Sequence, residues 1–238
     1  MIPIPVLDAV RRRLGAAARV DVSRHAIALS FADGVLTMEG EVADVGAKKI
    51  ALEGAASVSG VEHIVDRLRV APARTMGDAE IRDHVRDLLW EEPALQPLAR
   101  APPAPESGEA LRPDTVLGTI GISVAHGVVT LDGIVPSLAH KRLAGVLAWW
   151  VPGVRDVVNG LEVFPPEEDD DDEITDAVRL ALEKDPLVDA SQVRVSTRRA
   201  VVMLRGVVRC DIERQAAERD AWCIFGVDGV TSEIDVRA

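Results

Sequence analysis

Residues Asp33–Val70 read DGVLTMEGEVADVGAKKIALEGAASVSGVEHIVDRLRV, and the chain says this three times. His126–Val163, HGVVTLDGIVPSLAHKRLAGVLAWWVPGVRDVVNGLEV, overlays it without a gap, and Arg199–Val236 overlays both more distantly. An internal period of this size means one structural unit repeated, so the repeat decides the architecture. Inside the unit, Asp33-Gly34 supplies the positive-φ pair of a tight hairpin. Leu36 and Met38 alternate along the strand after it, which is expected to stop at Gly40. Ala51, Ala55 and Val58 share one face of a following helix that runs from about Asp44 to Val58, and Gly60 is expected to cap it. Ile64, Leu68 and Val70 mark a last strand.

Upstream of each copy lies a helix-period stretch: Val6, Val10 and Leu14; Ile81, Val85, Leu88 and Leu89; Ile174, Val178 and Leu182. A strand with period two follows, Ile27-Leu29-Phe31, repeated as Ile120-Ile122-Val124 and Val193-Val195-Thr197. The fold class expected is therefore α+β, with three tandem α-β-β-α-β units. Each would be a three-stranded mixed sheet packed on two helices, its β-α-β part a right-handed crossover. The boundaries expected are 1–74, 75–164 with a proline-rich insertion at 91–114, an acidic linker at 165–173, and 174–238. Units this small lie near the lower limit for a self-sufficient core, so they are expected to pack on one another or on a partner.

The signature Gly-Val-Val-Thr-Leu-x-Gly, then Gly-Val-x-x-Val-x-x-x-Leu-x-Val about 20 residues on, resembles the BON domain. It stands in full at Gly127–Gly133 and Gly153–Val163. The third copy departs from it, because Arg199-Ala200 replaces the hairpin pair and residue type does not specify its turn. The resemblance implies a non-catalytic binding module, linked to phospholipid or membrane association in osmotically inducible and transport-associated bacterial envelope proteins. It also implies residence in the periplasm or envelope.

Charge is uneven along the chain. The net −12 divides into +1 for residues 1–75, −5 for 76–164 and −8 for 165–238, with seven acids in the run Glu167–Glu173. That balance disfavours nucleic acid, whose phosphates need clustered Lys and Arg. The run itself reads as a solvated spacer whose last acids favour a helix N-terminus; EF-hand spacing is absent, which argues against calcium. The six prolines of 91–114 read as an extended or disordered loop, or as a segment that docks a partner. The start, MIPIPVLDAVRRRL, has its arginines after a short apolar stretch broken by Asp8, the wrong order for a secretory signal. No stretch approaches the length of a membrane span. Cys210 and Cys223 fall at opposite ends of one helix, roughly 20 Å apart, too far for a disulfide. The reading is a reduced, cytoplasmic chain, peripheral at a membrane if it meets one.

No catalytic motif, dinucleotide fingerprint or P-loop is present, so neither enzyme activity nor a cofactor is expected, and the five histidines show no metal-ligand spacing. His126 takes a turn position. The candidate contact residues are Trp149, Trp150 and Trp90, with Arg11, Arg12 and Arg13. Trp149 and Trp150 lie off the face that Ala148 and Val151 define, so the rings either pack between units or form an exposed contact surface. Trp90 is ambiguous in the same way. The three arginines flank the stripe Val6-Val10-Leu14 and make a short basic amphipathic helix. It reads either as an ordinary charged outer face or as a partner for anionic lipid. The partner expected is a phospholipid surface, with Trp149 and Trp150 as anchors and the arginines on phosphate. The alternative is a protein, met by the insertion or by an open sheet face carrying Ala28, Ser30 and Thr37. Packing between copies of the chain is also open.

Overall fold

The computed structural model describes residues 4–99 and 118–237. The first repeat runs α1 (Ile4–Ala16), β1 (Ile27–Ala32), β2 (Val35–Val42), α2 (Val45–Ala56) and β3 (His63–Val70). The second has α3 (Asp78–Glu91), a one-turn α4 (Gln96–Ala99), β4 (Thr119–Ala125), β5 (Val128–Val135) and α5 (Leu138–Trp149). Its last strand comes in two pieces, β6 (Asp156–Asn159) and β7 (Glu162–Val163). The third has α6 (Asp171–Lys184), β8 (Val193–Arg198), β9 (Val201–Val208), α7 (Asp211–Cys223) and β10 (Gly229–Val236). The fold class is α+β, as the repeat implied.

Every sheet has the same plan: an antiparallel hairpin whose second strand is central and pairs in parallel with the strand after the second helix. The helix side of each sheet is apolar. Leu36 and Met38, Val129 and Leu131, and Val202 and Leu204 point into it and are fully buried. The alanines of the second helix explain the close approach, since Ala51 and Ala55, Ala144 and Ala148, and Ala217 and Ala221 are all without exposure. A larger side chain at any of them would push helix from sheet.

Two expected boundaries differ. The central strands do not stop at Gly40, Gly133 and Gly206 but run two residues further, to Val42, Val135 and Val208. Each glycine has positive φ, and a Cβ there would collide with the carbonyl oxygen of Ala26, Thr119 or Gln192. Close approach of the neighbouring chain, not strand termination, is what the glycine serves. Likewise the second helices end before their glycines. The caps are Ser57, Trp150 and Ile224, and Gly60 and Gly226 take their positive φ in the turn beyond.

The chain forms two compact units, Met1–Ala71 and Pro72–Ala238. The first is repeat one. In the second, repeats two and three are packed together: Leu180 of α6 lies against the repeat-two core, which also holds Ile81, Val85, Leu89, Leu131 and Leu147. The start of the insertion belongs to this core. Leu95 and Leu98 are buried in it, with Pro97 inside α4, so the described part of the insertion is a packed turn leading into one turn of helix, Gln96–Ala99, rather than an extended loop. Residues 100–114 of the insertion lie outside the described residues.

Candidate functional site

The acidic run is built into the second unit. Its first acid, Glu167, accepts the Leu138 backbone N–H at 2.7 Å, adding a charge at the α5 N-terminus beside the N-cap, Ser137. Asp170 is the N-cap of α6 and accepts from Asp172 and Glu173. Asp171 reaches across to the β8–β9 hairpin, accepting from Arg199 N at 2.7 Å and Ala200 N at 2.9 Å. Asp78 does the same for the β4–β5 hairpin, accepting from His126 N and Gly127 N. These backbone donors hold both carboxyls, Asp78 and Asp171, below the ordinary aspartate range. The turn that residue type leaves open is thereby settled. Arg199 and Ala200 both adopt positive φ, 54° and 60°, with a carboxylate holding their N–H groups.

Asp169 completes the run by pairing with Arg142 of α5, whose side chain is fully buried. Arg142 also donates from Nε to the Phe225 carbonyl, just past α7, at 3.0 Å. One side chain thus joins repeat two, the linker and repeat three. Its Nη1 is buried with no acceptor among the described residues. Beside it, Lys141 lies 4.7 Å from the centre of the Phe225 ring.

At the other end of α5 the same two repeats meet where a tryptophan of repeat two reaches a buried acid of repeat three. Trp150 Nε1–H donates to Asp220 Oδ1 at 3.0 Å. Asp220 is wholly buried on α7, and Asp185, just after α6, is nearly so. Asp220 Oδ2 is buried with no hydrogen-bond partner among the described residues. Arg219 reaches both, at 3.1 Å to Asp185 and 3.7 Å to Asp220. Burial first, and then the charge of Asp185, push the Asp220 carboxyl up to about 8, against the opposing pull of Arg219 and Trp150. An aspartate that far displaced carries its proton at neutral pH.

The tryptophans singled out from sequence sit as follows. Trp149 and Trp150 are half buried and pack against the repeat-two core. Trp90, at the end of α3, is 37% exposed, with the Arg86 guanidinium 5.3 Å from its ring centre. Trp222, which sequence reasoning passed over, is buried to 3%. Asp220 and Arg142 were missed too. An aspartate within an otherwise small-residue helix face was the available signal for the first, and nothing local marked the second.

In the first unit, Arg11, Arg12 and Arg13 are exposed on α1 while Val10 and Leu14 are buried beneath them. Arg11 pairs with Asp8 at 3.0 Å. Arg12 and Arg13 line a groove of about 440 Å³ together with Ala9, Ala16, Ser57 and Val58. It is shallow, cationic on one wall and small-sided on the other. Among the described residues no cluster of His, Cys, Asp and Glu fits a metal ion, and no helix is long and apolar enough to cross a membrane.

Known proteins resemble parts of this chain. Osmotically-inducible protein Y of Escherichia coli (strain K12) is 30% identical over 124 residues, 50% of this chain and 62% of that protein. The chain therefore matches less than two thirds of that relative's length. Two solved structures of CdsD, a structural protein of the type III secretion system of Chlamydia trachomatis, are 12% and 13% identical. Both have a TM-score of 0.26; the first covers 100% of both chains, the second 98% of this chain and 92% of that one. Overlap that low carries no argument. The BON domain pattern matches at residues 6–72, 115–165 and 170–238, one span for each repeat. The chain belongs to the BON domain family.

Proposed function

We propose that the chain is a non-enzymatic binding protein that associates with an anionic phospholipid surface through repeat one, in a stress- or transport-associated role. The observation that carries this reading is the row Arg11–Arg13 on α1, with Arg12 and Arg13 beside a groove walled by Ala9, Ala16, Ser57 and Val58. Exposed guanidinium groups on an amphipathic helix suit phosphate oxygens. Repeat one is also the one segment without net negative charge, so the contact is local in a chain of net −12. Membership of the BON family and the likeness to an osmotically inducible protein support the role. Trp149 and Trp150, occupied in packing repeat two, are not needed as anchors, and Trp90 is the more accessible ring.

Co-sedimentation with phosphatidylglycerol-containing vesicles tests it. Pelleting at low salt should fall steeply with added salt and should be lost in Arg12→Glu/Arg13→Glu. Absence of pelleting at low salt, or pelleting indifferent to that double change, overturns it.

A second reading has its own support. The side of each sheet away from the helices carries Ser30, Thr37 and Val65 in register, and again Ser123, Thr130 and Val158. Val65 and Val158 are exposed. A protein adaptor using these faces would be captured by pull-down, and Thr130→Glu/Val158→Glu would release its partner without changing vesicle binding.

A further inference from the structure

The edge of the third sheet reverses a charge pattern that the other two sheets share. At one register position repeat one sets Ala28 across from Glu39, and repeat two sets Gly121 across from Asp132. Repeat three sets Arg194 across from Arg205. Like charges directly opposed on one sheet face repel. Glu233 takes Arg205, at 2.7 Å, while Arg194 has no ion pair among the described residues. The pair thus offers a place for an added carboxylate.

A groove of about 450 Å³ opens beside it, between α6 and the outer edge of β8. Arg179, Arg194 and Arg205 line it against one acid, Glu183. Its apolar side comes from Leu182, Val193 and Val195, which are buried. The lining takes in four successive residues of β8, Val193 to Ser196, or about 13 Å of strand. That strand ends its sheet and pairs with β9 alone. The corresponding strand of repeat two, β4, has α4 packed against it, where repeat three has a single 3-10 turn, Ala190–Gln192.

Every second residue of an edge strand turns its backbone groups away from the sheet. Val193 and Val195 are those residues here. The Val193 N–H donates to the Ala190 carbonyl, and the Val195 carbonyl accepts from Arg179 at 3.3 Å. The Val193 carbonyl and the Val195 N–H lie along the same outer edge. Arg194 and Ser196 stand exposed on the sheet face away from the helices, opposite the side of the buried valines. An incoming strand would therefore meet hydrogen-bonding groups along its backbone, guanidinium groups on one face and apolar side chains on the other. A small anion would use the guanidinium groups alone.

We propose that the β8 edge takes an extended acidic peptide as an added strand of the third sheet. Carboxylates at alternate positions of the peptide meet Arg194 and Arg205, and the apolar side chains between them turn toward Leu182. Backbone pairing supplies affinity and the alternation supplies specificity. Charge complementarity in a chain of net −12, together with the two-sided lining, selects this occupant. Arg179, which caps the Val195 carbonyl in the unbound chain, gives way to a peptide N–H. The site lies in repeat three and is independent of the lipid contact proposed for repeat one.

Amide NMR of the full chain, titrated with the end-capped peptide Thr-Glu-Val-Glu-Thr-Glu, reads this out. The Val195 amide should shift and become slow to exchange, because it gains an acceptor. The Arg194 and Ser196 amides, which face β9, should keep their exchange rates. Glutamine in place of every glutamate should weaken binding about tenfold, and so should Arg194→Glu in the chain. A fully N-methylated copy of the peptide keeps the charges, loses the backbone donors and should not bind. That arm uses the unaltered chain, so it decides alone if Arg194→Glu fails to fold. Equal binding of the methylated peptide, equal shifts with inorganic phosphate, a Val195 amide that does not respond, or undiminished binding by Arg194→Glu overturns strand addition. No binding of the acidic peptide overturns it as well, and leaves the arginines as guards of an edge that must not pair.

Discussion

Arg142 and Asp169 form an ion pair with unequal surroundings. The arginine side chain has no exposure, while the aspartate side chain is 38% exposed. Removing one partner of a buried pair costs most when the charge left behind stays buried. Asp169→Ala strands a buried guanidinium that already has one unpaired nitrogen, so a loss of about 3 kcal/mol is expected. Arg142→Met leaves only a carboxylate that water can reach, and fills the volume with an apolar chain, so about 1 kcal/mol is expected. Urea denaturation of the two variants should give that order. The reverse order would mean that Arg142 acts through its hydrogen bond to Phe225 rather than through Asp169. Nothing near Arg142 in the sequence foretells this, because its partners lie 27 and 83 residues away.

At the scale of the element, the β8–β9 hairpin asks more of its residues than its two homologues do. Repeats one and two place glycine, Gly34 and Gly127, at the second turn position, where repeat three has Ala200 at φ 60°. The left-handed region costs an L-residue roughly 1 kcal/mol or more, part of which returns as unfolded-chain entropy when glycine is substituted. Ala200→Gly should therefore stabilise the chain by about 0.5 kcal/mol, seen as a raised urea midpoint. Asp171 offsets the strain by taking both turn N–H groups, and Asp171→Ala should lower the midpoint.

Acid gives the same test without mutation. The Asp78 and Asp171 carboxyls lie below their ordinary values because backbone N–H groups of Gly127 and His126, and of Ala200 and Arg199, bind the charged form. Their contribution is complete above about pH 4 and lost as pH falls through the lowered folded values. The β4–β5 and β8–β9 turns should thus loosen in acid before the β1–β2 turn, measured by amide exchange between about pH 5 and 2.

The whole molecule separates what sequence can and cannot say. The repeat, the hairpins and the alanine faces are legible because each follows from a local period or residue type. Three features are not. The acidic run reads as spacer because composition alone cannot show that Glu167, Asp169, Asp170 and Asp171 each have a fixed partner. Leu95 and Leu98 are hidden by the prolines around them. Trp150 faces Asp220 across 70 residues of chain, and no period connects them.

Those longer-range pairings predict how the chain comes apart. The α5 residue Arg142, which bonds to repeat three, is buried, as is Val146 one turn on. The aligned residues of repeat one, Lys49 and Glu53, include an exposed carboxylate and no large apolar side chain. Repeat one is thus suited to stand as its own unit, whereas separating repeats two and three would break the Arg142 and Trp150–Asp220 contacts together. Cooperativity follows shared burial. In native-state hydrogen exchange on the full chain under increasing urea, the most protected amides of α5, α6 and α7 should merge into one opening event, with those of α2 and β2 forming another. Separate openings for α5 and for α6–α7 would mean that repeats two and three are held as independently as their sequences alone suggest.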